Sequence, residues 1–297
     1  MIIRHGKVAF PGKDEPILAD IAIERGKIAA IDDCIRGDSE IIDASGMLII
    51  PGAIDPHVHF NEPGYTHRED FYHGTCAAAS GGVTTVIDMP CTSVPPVTSL
   101  QNLHRKLSVI KKAAVVDFGL YGGVSAQSFK MSFPENMQEL SKCVLGYKTY
   151  FISGMESFGR LNPEQFEKVL DTAKEIDLPV LLHAEHYDTI MDATQTAMQN
   201  GNSPMDYYNS RSEQAEIIAV REAVEIAEKV AGNLHIVHVA TADAAEIVSQ
   251  SHVTCETLPH YLEFDTDDFS RIGSPLKVAP CVKSPGNKER LWEMLSN

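Results

Sequence analysis

Apolar and polar positions alternate in two different ways along the chain. Short runs at 2–10, 19–24 and 28–31, alternating or β-branched, are separated by Gly, Pro and Asp, the pattern of small β-strands. Residues 1–50 are thus expected to form a small β domain, too small to bury a good core alone. From about residue 48 the pattern becomes strand then helix. Apolar runs at 48–54, 83–88, 114–120, 144–151, 180–183, 234–239 and 253–256 predict seven strands. Helical stretches between them are expected at 70–80, 100–112, 163–176, 212–230, 242–249 and 288–295. Asn162-Pro163-Glu164 is a helix start, with Asn as cap and Pro at the first position. The runs are continuous in Val, Ile and Leu, as strands buried on both faces require, so the sheet should be parallel and covered by helices.

A doubly wound sheet normally opens with a glycine-rich phosphate turn. The corresponding turn here reads Asp55-Pro56-His57-Val58-His59, with no GxGxxG. The expectation is therefore an α/β chain: a (β/α)8 TIM-like barrel over 51–297, lacking its last strand, with the small β domain at its N-terminus. The polar stretch 188–212 is expected to be a helical insertion at the barrel mouth, and Asp267 to cap a helix.

Charge narrows the partners. Of 297 residues, 41 are Asp or Glu and 25 Lys or Arg, a formal net charge of -16. This disfavours nucleic acid and anionic membrane. No apolar run reaches the roughly 18 residues of a spanning helix, and the N-terminus has no signal-peptide profile. The 6 cysteines include no CxxC pair. Reduced thiols and a cytoplasmic setting are expected.

The chemistry lies at the predicted strand ends. His57 and His59 sit at i and i+2, on one face of a strand. His183 and His238 end two further apolar runs, and Lys148 lies inside a third. A buried ammonium is costly unless paired or chemically altered. Barrel enzymes place their reacting groups at this rim.

The string Pro51-Gly52-Ala53-Ile54-Asp55-Pro56-His57-Val58-His59-Phe60, followed by Glu62-Pro63-Gly64, resembles the metal-binding signature of the amidohydrolase superfamily. Gly146-Tyr147-Lys148, Leu182-His183-Ala184-Glu185, His235-Ile236-Val237-His238 and Thr254-Cys255-Glu256-Thr257-Leu258-Pro259-His260-Tyr261 follow in that family's order. More narrowly, the chain is similar to the cyclic amidohydrolases: dihydroorotase, allantoinase and hydantoinase/dihydropyrimidinase. The resemblance implies two divalent ions, zinc in most members. His57 and His59 would hold one, His183 and His238 the other, and a CO₂-derived carbamate on Lys148 would bridge both. It implies hydrolytic opening of a small cyclic amide or ureide, in a homo-oligomer of two or four chains.

The chain departs from the family in two respects. The catalytic Asp that ends the eighth strand would lie beyond residue 297, so the sequence reads as truncated and inactive as it stands. The pair that clamps a carboxylate in dihydroorotases is replaced by Asn61 and Cys91, which suit a carboxylate poorly. These two, with Arg68 and His260, are the expected substrate-binding residues. Allantoinase-like chemistry is favoured; dihydroorotase and then hydantoinase are the alternatives, with Arg68 offering the first a charge. A metal-free scaffold or an inactive fragment is the reading outside catalysis.

Overall fold

The computed structural model describes residues 1–37, 40–201 and 203–296. Asn202, inside the stretch expected to be a helical insertion, lies outside them, as do residues 38, 39 and 297. The chain divides into two compact units, Met1–Ile54 with Gly82–Thr84, and Asp55–Gly81 with Thr85–Asn297.

The smaller unit is a five-stranded sheet. Strand β1 (Ile2–Val8) pairs antiparallel with β2 (Ile17–Glu24), which pairs with β3 (Lys27–Asp32). On its other side β1 runs parallel to β4 (Ile41–Asp43) and β5 (Leu48–Ile49). Val8, Ala19 and Ile21 form its buried centre.

The larger unit alternates strand and helix: β6 (Ala53–Val58), α1 (Phe71–Ser80), β7 (Val83–Asp88), α2 (Leu100–Ile110), β8 (Asp117–Leu120), β9 (Gly122–Gly123), α3 (Glu135–Leu140), β10 (Tyr147–Tyr150), α4 (Pro163–Glu175) and β11 (Val180–His183). It continues through α5 (Tyr187–Asn200), α6 (Pro204–Ser210), α7 (Glu213–Val230), β12 (Leu234–Ile236), α8 (Ala242–Ser249), β13 (Thr254–Cys255), α9 (Pro259–Glu263), α10 (Thr266–Ile272) and α11 (Pro285–Ser296). Strands pair in the orders β6-β7-β8 and β9-β10-β11-β12-β13. Only Tyr121 separates β8 from β9, so the two form one bent strand. Among the described residues this gives seven strand positions of an α/β barrel, with all four residues of β10 and of β11 buried. Met89, Cys91, Tyr121, Tyr150, Phe158, Leu181 and Val237 pack into one buried cluster.

Two boundaries differ from the sequence pattern. The run 48–54 is one apolar stretch, but it splits at Pro51-Gly52: β5 joins the small sheet and the barrel strand starts at Ala53. The cap of α10 is Asp265, whose carboxylate accepts from the backbone N–H of Asp267 and Asp268; Asp267 lies in the first turn instead. Asn162 caps α4 in a full capping box with Gln165. No described helix is long and apolar enough to cross a membrane.

Candidate metal centre

Four strands deliver the basic side chains to one place. His57 is the penultimate residue of β6, and His59 follows one residue beyond that strand. Asp55 accepts from the His57 backbone N–H at 3.0 Å, and the backbone of Phe60 is tied to Asp88 at 2.7 Å. Lys148 is the second residue of β10 and His183 the last of β11. Tyr150 is the register partner of His183 across these strands, which stacks the two rings at 5.1 Å. His238 lies two residues past β12, where the chain turns out of the sheet with φ 44°. A left-handed backbone is unfavourable for any residue with a Cβ; here it aims the imidazole into the barrel mouth.

The rings converge. Centroids are 5.3 Å apart for His57–His59, 5.4 Å for His57–His238 and 4.7 Å for His183–His238. His183 Nδ1 and His238 Nε2 are separated by 3.1 Å. The four imidazoles, with Tyr150, Arg211, Ser153, Leu258 and others, line a cavity of about 330 Å³. Lys148 is fully buried beside it, with Nζ 5.0 Å from the Tyr150 ring centre.

Electrostatics favours neutral bases here. Burial pushes His59 and His238 well below the usual histidine range, and lowers His57 and His183 as well. Burial brings the Lys148 amine down to about 7. Its Nζ and His238 Nδ1 are buried with no hydrogen-bond partner. Orphaned polar atoms of this kind are rare in folded proteins and call for a physical explanation.

Two carboxylates engage the ring nitrogens. His57 Nδ1 donates to Glu256, and His183 Nε2 donates to Glu185 at 2.7 Å. Arg211 also donates to Glu185. Burial raises both carboxyls, but the histidine hydrogen bonds, joined at Glu185 by the charges of Arg211 and Lys283, outweigh it and hold each below the usual glutamate range.

Among the described residues no three His, Cys, Asp or Glu side chains stand in ligating geometry around one point. The donor chemistry nevertheless suits divalent ions. Neutral imidazoles are zinc ligands, and two ligands on one tetrahedral zinc at 2.0–2.1 Å stand about 3.3 Å apart. The His183–His238 nitrogen spacing of 3.1 Å is close to that. The unpartnered Lys148 amine is where a carbamate oxygen pair would supply the remaining, harder donors.

The expected substrate-binding residues do not line the cavity. Cys91 lies behind it, its Sγ 3.0 Å from the Tyr150 hydroxyl and 3.8 Å from His59 Nδ1. Asn61 turns back to donate to the His59 carbonyl at 3.0 Å. Arg68 lies over the Tyr65 ring at 5.2 Å, and His260 lines a different cavity with Trp292 and Phe264. The sequence reading missed Arg211, Glu185 and Glu256. Both glutamates stood inside matched motifs, two residues after His183 and at the end of the seventh apolar run, and a charged residue there was a usable signal.

Comparison with known proteins agrees with this architecture. Residues 48–271 match the amidohydrolase family. The chain is 36% identical over 286 residues to an allantoinase of Deinococcus radiodurans, covering 93% of this chain and 63% of that one. It is 34% identical over 306 residues to an allantoinase of Desulfitobacterium hafniense, covering 100% and 67%. Among solved structures, an L-hydantoinase (dihydropyrimidinase) from Arthrobacter aurescens superposes with a TM-score of 0.90 at 29% identity, over 99% of this chain and 66% of that one. A dihydropyrimidinase from Brevibacillus agri gives 0.83 at 28%, over 99% and 65%. The chain thus spans about two thirds of the length of the relatives it matches. By the extent of the family match and by identities of 34% and 36% over 100% and 93% of its own length, the chain belongs to the amidohydrolase family.

Proposed function

We propose that the chain carries the metal-binding part of a hydrolase that opens a small, uncharged cyclic amide, with allantoin-like ureides the leading substrate class. The observation that carries this reading is the convergence of four neutral imidazoles on a fully buried, unpartnered lysine at the mouth of an α/β barrel. His57 and His59 would hold one divalent ion, zinc by donor chemistry, and His183 and His238 the second, with Lys148 bridging as a carbamate. The amine nitrogen adds to the carbon of CO₂ and loses one proton, giving an anionic carbamate in place of a buried cation. Bound there, the ions supply Lewis-acid polarisation of the scissile carbonyl and stabilise the charge that develops on its oxygen.

The chain's own residues do the rest. The imidazoles stay unprotonated because burial disfavours their charged forms, so their lone pairs remain available as ligands. Leu258, Val278 and Ile152 give the cavity apolar walls that limit water and orient a flat ring. No carboxylate of the described residues lines the cavity, so no proton donor to the leaving nitrogen is assigned.

Arg211 is the one guanidinium among the lining residues, and Glu185 already neutralises it. Arg68 is engaged with Tyr65 and does not face the cavity. This disfavours a ring bearing a carboxylate, and with it dihydroorotate. A hydantoin ring is the second reading, favoured by the structural neighbours that are hydantoinases. The 6 free cysteines and the absence of a membrane-spanning helix among described residues are in keeping with a cytoplasmic enzyme. Homo-oligomerisation belongs to the same proposal.

The test is a ring-opening assay on allantoin, hydantoin and dihydroorotate, run on zinc-loaded, bicarbonate-treated protein in a form that spans the full length of its relatives, whose eighth strand would bring the catalytic Asp. Turnover of allantoin, with hydantoin slower and dihydroorotate untouched, is expected. Turnover of dihydroorotate alone would overturn the uncharged-substrate assignment, and zinc-loaded protein inert on all three would overturn the hydrolase reading.

A further inference from the structure

His57 and His183 are gripped from opposite ring nitrogens. Glu256 takes the Nδ1 side of His57, whereas Glu185 takes the Nε2 side of His183. An ionised carboxylate can only accept, so in each pair the proton sits on the histidine nitrogen facing it. The lone pair is then left on the other nitrogen: Nε2 of His57 and Nδ1 of His183.

The surroundings place those lone pairs toward the candidate centre. His57 lines the cavity of the four imidazoles, but Glu256 does not; it lines a separate cavity of about 380 Å³ with Pro56, Tyr121 and His235. The carboxylate therefore approaches His57 from the side away from the centre. His183 Nδ1, as the acceptor, meets His238 Nε2 at 3.1 Å, inside the cluster.

Both carboxylates are themselves anchored. The second oxygen of Glu256 lies 3.4 Å from His235 Nε2, and His235 Nδ1 meets Thr254 Oγ1 at 2.8 Å. His235 and Thr254 are register partners on β12 and β13, so the Thr254–His235–Glu256–His57 chain is built into the strand pairing. Glu185 is almost fully buried and shared between His183 and Arg211.

We propose that Glu256 and Glu185 are positioning residues that fix opposite tautomers of His57 and His183, so that each presents its remaining nitrogen to its own ion. The proposal rests on the metal-centre reading above. Hydrogen-bonded partners of this kind orient ligand imidazoles and raise their basicity, and their loss costs 10–100-fold in metal affinity.

The test has two arms. In the metal-free protein labelled with ¹⁵N-histidine, long-range ¹H–¹⁵N correlation spectra should show the Nδ1–H tautomer for His57 and the Nε2–H tautomer for His183. The same tautomer at both positions overturns the proposal, and this arm needs no variant to fold. In the second arm, zinc affinity is measured by chelator competition. Glu256→Ala and Glu185→Ala are each expected to bind about 10–100-fold more weakly. Glu256→Gln, whose amide oxygen still accepts, should recover part of the loss, whereas Glu256→Met, which fills the space but accepts no such bond, should not; equal recovery by both would make the effect purely structural and overturn the proposal. Wild-type affinity in both alanine variants overturns the proposal. Wild-type protein that binds no zinc while showing the two opposite tautomers would sink the metal reading and leave the tautomer assignment standing.

Discussion

Lys106 and Asp88 form an ion pair with side chains 1% and 0% exposed and Nζ–Oδ2 at 2.5 Å. Asp88 Oδ1 also accepts from the backbone of Phe60, next to His59, and Lys106 donates to Ser93 Oγ at 2.6 Å. Burial pushes the Asp88 carboxyl up to about 6, despite the opposing pull of Lys106 and these bonds. The substitution Lys106→Met keeps the length of the side chain and removes its charge. At pH 5 Asp88 is already largely protonated in the folded wild type, so the loss should be near that of one hydrogen bond, about 1 kcal/mol. At pH 8 the wild-type carboxylate is ionised, and stripping away its partner should cost about 3–4 kcal/mol. The sign follows from linkage. A raised folded pKa adds stability that is complete below the unfolded value and is lost as pH climbs to the folded value. Removing Lys106 raises the folded value further. The variant therefore keeps losing stability above pH 6, where the wild type has stopped, by about 1.4 kcal/mol per pH unit up to its new pKa. Urea unfolding of both proteins at pH 5 and pH 8 measures the gap. An equal loss at the two pH values would refute the reasoning, because it would mean that Asp88 keeps one protonation state from pH 5 to pH 8.

Three further outcomes follow from single contacts. Gly74→Ala in α1 would ordinarily stabilise a helix by up to about 1 kcal/mol, but its Cβ would stand 2.5 Å from the buried Phe60 ring. The clash should win and cost about 1–3 kcal/mol; a raised melting temperature would contradict the packing of Phe60 against α1. Asn162→Ala removes an acceptor 2.8 Å from the Gln165 N–H and should cost about 1 kcal/mol in urea unfolding, no loss meaning that the cap is idle. Arg68→Ala should leave the steady-state kcat/KM of the ring-opening reaction unchanged, since the guanidinium lies on Tyr65 outside the cavity; a large KM increase would show that Arg68 reaches substrate.

The barrel was legible because its strands are buried on both faces, so β11 opens as an unbroken Val-Leu-Leu run and β10 lies within the largely apolar stretch 144–151. His57 and His59 were legible for a related reason: a period of two puts them on one face whatever packs around them. The first strand's start was misplaced because Leu48 and Ile49 are as apolar as the strand that follows, and only pairing with β1 assigns them to the other sheet. The carboxylates behind the histidines were not legible. Glu256 and His57 lie 199 positions apart, and their contact depends on the curvature that brings the seventh strand position to the first. Arg68 shows the effect of local packing, which a sequence pattern does not carry: its guanidinium lies over the ring of Tyr65, three residues earlier.

The most direct measurement is zinc per chain, by mass spectrometry of the protein reconstituted with zinc and bicarbonate, for the wild type and for Lys148→Ala. Two equivalents in the wild type, lost in the variant and partly restored by a short carboxylic acid, is the predicted result. A folded wild-type protein that retains no zinc, or a Lys148→Ala protein that holds two equivalents unaided, would contradict the account.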